Sequence, residues 1–298
     1  MNRGNRGALV FIIAGILCIA ALGIFAYNYF YNIDAPVLEE PSPPPSPTPS
    51  PTPKPSPSPT PPPSPTPTPE PVIMDKFLSY YEQNEDFVGW IRVPNTGIDF
   101  PVVYCEDNEY YLSHNFNREP YRNGVPFLDK SADLLVNNRS LALFGHHRFT
   151  GGMFSELHSF KSLDFLKKTP VFTFDSLYED AGYKIFSVFY MAGSSKDEYF
   201  YYYPNAVFKD DDAFTAHVEE ITKRSIFLTG VDVGPEDQLV LLTCCSYEID
   251  DLRIIIAGRK LREGESAEPD TSLYEKNPKP MYPKGWYNKF GGKWTEEG

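Results

Sequence analysis

The chain has 298 residues, 27 basic against 40 acidic, a formal net charge of −13 and 15% aromatic residues. A chain this acidic is not built to neutralise phosphates, which excludes a nucleic-acid partner. Its four cysteines form no CxxC pair and no Cys/His cluster at zinc spacing, so no metal and no cofactor is expected.

In chain order, residues 1–7 carry Arg3 and Arg6 ahead of an uncharged run, ALVFIIAGILCIAALGIFAY. A helix of about twenty apolar residues rises about 30 Å, the depth of a bilayer core. Basic residues before the run and Tyr27, Tyr29 and Tyr31 after it predict a membrane helix over 8–30, with a cytoplasmic N-terminus and the bulk of the chain outside. A cleaved signal peptide is the rival reading, with Ala20 and Ala21 as its small residues. Residues 31–72 form a linker. Within it Pro41–Glu70 is almost only Pro, Ser and Thr, and proline fixes φ and donates no hydrogen bond, so the stretch is an extended spacer. At ~3.1 Å per residue it reaches on the order of 90 Å.

A single folded domain is expected over 73–262. Met74, Phe77, Leu78 and Tyr81 share one face of a short N-terminal helix. Short β-like runs follow: IDFPVVY, SLALFG, VFTF, YKIFSVFYM, QLVLLTC and RIIIAGR, separated by Gly, Pro, Asn and Asp. Such strands with few helices between them predict a mostly β fold, a barrel or a sandwich. Phe154–Leu166 is a second helical candidate. Phe214, Val218 and Ile221 mark a third helix in a late connection. Residues 263–298 are polar and without period, which predicts a poorly ordered tail.

In QLVLLTCCSYEIDDLRIIIAGR, two strand-like runs flank a polar turn. A hairpin centred between Glu248 and Ile249 sets Cys244 directly opposite Arg253, on one face. A guanidinium beside a thiol favours the thiolate and can hold an oxyanion. Against this stands the plainer reading of a core cysteine near a surface arginine. A thiol nucleophile needs an imidazole. His146 and His147 follow a strand end and Gly145, a common setting for a catalytic group, whereas His114, His158 and His217 lie in polar or helical contexts.

These residues resemble the class B sortases, cysteine transpeptidases, across nearly all of 74–262. Val240-Leu241-Leu242-Thr243-Cys244 is similar to the family's T-L-x-T-C strand end. Arg253 follows at a similar spacing to its arginine, and Phe144-Gly145-His146 is similar to its strand-G-H motif. NEDFVGWIRVPNTGIDFPVV, DNEYYLSHNF, FLD, GHHRFTGGMFSEL and YKIFSVFY are similar in the same order.

The resemblance implies a closed β-barrel with an N-terminal helix and a helix in the late connection. It implies a membrane-held, extracellular enzyme with Cys244 as nucleophile, His146 as acid/base and Arg253 at the substrate carbonyl. Its partners would be secreted proteins bearing a C-terminal sorting signal and an amine acceptor, either a peptidoglycan precursor or a pilin lysine. The groove residues it implies are Asn108, Leu112, Ser195, Tyr199, Phe200, Leu242 and Thr243. Leu242 stands where the family often has serine, and Cys245 is unusual: a bystander, or a partner for Cys244 or Cys105 in an oxidised form. His147 is the alternative to His146. An L,D-transpeptidase and a non-catalytic wall-binding module are the competing readings. The first places its arginine two residues after its cysteine, unlike Arg253.

Overall fold

The computed structural model describes residues 71–132, 138–148, 151–193 and 207–292. The expected cytoplasmic segment and membrane helix, and the linker except for its last two residues, lie outside these residues. Among the described residues no helix is long and apolar enough to cross a membrane.

The chain enters through helix α1 (Asp75–Gln83), where Phe77 is the buried anchor. Strands β1 (Phe87–Arg92), β2 (Asp99–Val103), β3 (Phe127–Leu128) and β4 (Ser140–Phe144) follow. A 3₁₀ segment, Ser155–Lys161, leads to α2 (Leu163–Lys168), whose first turn is capped by the Ser162 side chain. Next come β5 (Val171–Ser176), β6 (Gly182–Ala192), α3 (Asp211–Arg224), β7 (Phe227–Leu228), β8 (Leu239–Ser246) and β9 (Leu252–Lys260). The C-terminal part holds β10 (Glu275–Lys276) and α4 (Lys284–Phe290).

Eight strands form one ring in the order β1-β2-β3-β4-β8-β9-β6-β5, with β5 pairing back onto β1. The expected β-rich fold, its N-terminal helix and its late helix are all present. Period-two alternation sorts the side chains of β8 and β9. Val240, Leu242, Cys244, Ile254 and Ile256 join the main core with Ile91, Leu143, Phe154 and Val188. Leu239, Leu241, Ile255 and Ala257 face the other way, where Phe214, Val218 and Ile221 of α3 cover them. The 3.6-residue spacing read from the sequence is thus the face that docks on the sheet. Asp210 caps this helix by accepting from the Ala213 amide at 2.8 Å.

The expected poorly ordered tail is not what residues 263–292 adopt. Glu265 pairs with the buried Arg259, β10 pairs with β7, and Tyr274 and Met281 are buried. The tail lacks a period because it is a strap of isolated anchors, and periodicity reports only regular elements.

Candidate active site

Two strands carry the candidate chemistry, and they lie side by side. Strand β4 pairs in parallel with β8, Phe144 beside Thr243, and the ladder runs one step further as the Gly145 amide donates to the Thr243 carbonyl at 3.2 Å. The histidine loop therefore leaves β4 level with the cysteines at the end of β8. Gly145 is required by close approach: a Cβ there would lie 2.6 Å from the Phe154 ring. Phe154 is fully buried, and its amide donates to the His146 carbonyl at 3.0 Å, which fixes the loop.

At this end of the ring a cleft of about 440 Å³ is lined in part by Asn108, Leu112, His146, Thr243, Cys244, Cys245 and Arg253. The sequence thus brought Cys244, His146, Arg253, Asn108, Leu112 and Thr243 to one place. Leu242 is not among them: it is fully buried in the ring interior. Ser195, Tyr199 and Phe200 lie outside the described residues.

The hairpin register corrects the sequence reading. Cys245, not Cys244, stands opposite Arg253, and Cys244 pairs with Ile254. The turn is centred on Ile249, and Asp251 takes a left-handed φ of 54°, which aspartate tolerates. A one-residue shift exchanges the faces. Cys244 therefore points with Ile254 into the apolar interior and is only 2% exposed, while Cys245 is half-buried and shares the face of Arg253. The expected depressed thiol is also overturned. Burial pushes the Cys244 thiol far up, and the charges of Lys161 and Arg253 offset this only in part. All three described cysteines are free thiols, so neither Cys244 nor Cys105 is bridged to Cys245.

Other groups fix the geometry around Cys245. Its carbonyl oxygen is contacted by His147 Nδ1 at 3.2 Å and His158 Nε2 at 3.0 Å, their rings 4.0 Å apart. Both histidines thus serve the backbone of the cysteine strand, and neither lines the cleft. His146 does line it, with Nε2 2.8 Å from the Leu112 carbonyl. Since a carbonyl only accepts, that nitrogen carries the proton and leaves Nδ1 with the lone pair. Burial, with Arg148 assisting, lowers the His146 pKa against the opposing pull of the Leu112 carbonyl, so the ring is neutral at pH 7. Asn108 is held by Asp129 Oδ2 at 2.7 Å and by the Lys130 amide at 2.8 Å, which presents it rigidly at the rim.

Arg253 pairs with Asp251 at 3.4 Å and bonds the Leu252 carbonyl. It lies against Gly193, where a Cβ would come within 2.8 Å of its guanidinium. Gly193 and Cys245 are the residues that sequence reasoning missed. The adjacent thiol was visible, but only the register assigns it to the cleft face. Among the described residues no cluster of His, Cys, Asp and Glu could hold a metal ion.

A thiol, a neutral imidazole and a guanidinium around one peptide-sized cleft can cleave and transfer an acyl group. Comparison with known proteins agrees with this chemistry. The family model described as the sortase domain matches residues 91–261. The chain is similar to Sortase B of Listeria monocytogenes, 28% identical over 189 residues that cover 63% of this chain and 74% of that one. Among solved structures it is similar to sortase B from Bacillus anthracis in complex with AAEK2, with TM-score 0.59, 28% identity, and 65% of this chain and 86% of that one covered. It is also similar to a Staphylococcus aureus sortase B–substrate complex, with TM-score 0.57, 27% identity, and coverage of 64% and 87%. With its ring of strands, its thiol cleft and a family match over more than half its length, the chain belongs to the sortase family of cysteine transpeptidases, on the class B side of that family.

Proposed function

We propose that this chain is an extracellular transpeptidase, held to the membrane by residues 8–30, that cuts a C-terminal sorting signal of secreted proteins and passes the acyl group to an amine. The observation that carries the reading is the direct pairing of Cys245 with Arg253 at a cleft that also holds His146. We assign the nucleophile to Cys245 rather than to the Cys244 expected from the sequence, an assignment that the same pairing supports. Both cysteines line the cleft, but Cys245 is the more exposed and shares the face of Arg253, whereas Cys244 is almost wholly buried in the apolar interior.

In the proposed reaction Cys245 Sγ attacks the scissile carbonyl and gives its proton to His146. Arg253 faces the oxygen that becomes negative, a role its permanent charge suits. The imidazolium then protonates the departing amine as the C–N bond breaks, leaving a thioester. An incoming amine gives a proton to His146, attacks the thioester and releases the thiol. A peptidoglycan precursor or a protein lysine would serve as that amine. Asn108 and Leu112 line the same cleft and would contact the signal peptide, and the segment carrying Ser195, Tyr199 and Phe200 would do likewise. The likeness to a relative solved as a substrate complex supports a peptide in this cleft.

The test is cleavage of a library of sorting-signal peptides by three variants. Cys245→Ala and His146→Ala are expected to be inactive, and Cys244→Ala to retain most activity. An active Cys245→Ala alongside an inactive Cys244→Ala would return the nucleophile to the buried thiol. Activity in both cysteine variants would remove thiol catalysis altogether.

A further inference from the structure

Residues 263–292 lie beyond the stretch matched by the family model, yet they reach the cleft's own hairpin. The strap is tethered at one end to the α3–β7 edge. Glu275 and Lys276 pair with Leu228 and Phe227, the Asn277 side chain donates to the Ser225 carbonyl at 2.7 Å, and the Met281 amide donates to the Lys223 carbonyl at 3.2 Å. From there it crosses to the β8–β9 turn. Tyr282 and Trp286 stack at 4.4 Å with nearly parallel rings, and Trp286 lies 5.1 Å from Tyr190 of β6. Both aromatic rings and Ile249 pack on the main core. Gly285 meets Ile249 so closely that a Cβ would sit 3.0 Å from its Cδ1. Lys289 Nζ donates to the Glu248 carbonyl. From the opposite side, Glu248 is held by Lys161 and by the Ser246 hydroxyl.

The turn 247–251 closes the hairpin one rung beyond the Cys245–Arg253 pair, with Ser246 opposite Leu252, so whatever fixes the turn helps to hold that pair. Tyr247, Asp250 and Asp251 of this turn are exposed and Asp251 has a positive φ, and exposed turns open readily unless something covers them. We propose that the C-terminal strap is a clasp on the active-site hairpin, with Trp286 and Lys289 as positioning residues that hold the Cys245–Arg253 pair in its reactive alignment. The inference rests on the cleft being the transpeptidase site. Neither residue is among those that line the cleft. They act through Ile249 and Glu248, so their loss lowers the rate of the chemical step more than it weakens peptide binding.

The experiment uses the full-length chain with Trp286→Ala, Lys289→Ala and Lys289→Arg. It reads peptide cleavage, amide hydrogen exchange over 247–252, and methanethiosulfonate labelling of Cys245 mapped by mass spectrometry. Expected for Trp286→Ala are exchange in the turn about tenfold faster and kcat reduced about tenfold with KM within about twofold, since small misplacements of reacting groups cost this much or more. Lys289→Ala shows the same pattern more weakly, and Lys289→Arg restores it. Wild-type exchange in the turn for both alanine variants overturns the clasp. So does faster exchange with unchanged kcat, which leaves the strap a purely structural element. If the wild-type chain cleaves no peptide, the transpeptidase reading fails separately. Exchange and the rate of Cys245 labelling then decide the clasp: a changed labelling rate in Trp286→Ala supports it and an unchanged one overturns it.

Discussion

The guanidinium of Arg253 rests on the bare Cα of Gly193. A Cβ at position 193 would lie 2.8 Å from its Cζ and Nη2 and 2.2 Å from Asp251 Oδ1. The φ of Gly193 is not left-handed, so an added Cβ meets no backbone strain and is accommodated only by shifting the tips of Asp251 and Arg253. We expect Gly193→Ala to push Arg253 out of line with Cys245. Its kcat/KM should fall about a hundredfold, the size of effect seen when a donor to a developing oxyanion is lost. Circular dichroism and thermal melting should show the fold kept. Cleavage at the wild-type rate would mean that Arg253 is dispensable or free to re-aim.

Cys244 has a packing role that can be weighed separately. Its sulfur fills a place among Val240, Leu242 and Ile254. Cys244→Ala should cost about 1–2 kcal/mol through lost burial and a small void, lowering Tm by a few degrees. Cys244→Ser should cost more, because a hydroxyl buried there has no apolar substitute for water. Melting curves of the two variants check the order, and serine as the milder change would place the residue at a wetter site than the interior.

The pH dependence follows from His146. Burial holds its pKa below the ordinary 6.5, so the neutral, proton-accepting form persists to lower pH than a free imidazole allows. The acid limb of kcat/KM is expected below pH 6.5, and Arg148→Ala, which removes an opposing positive charge, should move it upward. A profile with its acid midpoint above 6.5 contradicts this assignment of the base.

Stability in acid should be governed in part by Glu265. Arg259 is 1% exposed, and its two Nη atoms face the two oxygens of Glu265, which also accepts from Lys184 Nζ at 2.6 Å. Arg259 leads in holding the Glu265 carboxyl far below the usual range. A carboxylate depressed on folding stabilises the native state above its unfolded pKa, ~4.3, and that contribution is lost as pH falls toward the folded value. Glu265→Gln leaves a buried guanidinium short of its counter-charge. The expected loss at pH 7 is about 3 kcal/mol, with a fall in Tm on the order of 10 °C. The gap between variant and wild type should be constant from pH 7 to about 5 and narrow below ~4.3. A gap that widens in acid would reverse the sign of the argument.

How far the sequence could be read depended on what each residue's position rests on. YKIFSVFYM, QLVLLTC and RIIIAGR announced three strands through their β-branched and aromatic runs, and the structure builds them as β6, β8 and β9. Phe214, Val218 and Ile221 announced α3 by period. Register was not legible, because it depends on how Tyr247–Asp251 turn, and a left-handed Asp251 has no signature beyond its residue type. That one-residue error set the buried Cys244, rather than Cys245, opposite Arg253. β3, at two residues, was too short to show a pattern. The strap was illegible for another reason. Its order comes from scattered long-range contacts, the buried Tyr274 and Met281 and the Tyr282–Trp286 pair against Tyr190, and their spacing follows no helical or strand period.

The parallel seam between β4 and β8 also constrains how this protein can change over evolutionary time. Nearly a hundred positions separate the imidazole from the sulfur, but one ladder keeps them level, Phe144 beside Thr243. Gaining or losing a single residue in either strand would slide one group about 3.3 Å past the other and turn it to the opposite side. Loops around the rim are free to lengthen and diversify, whereas the spacing within these two short stretches can alter only if both alter together.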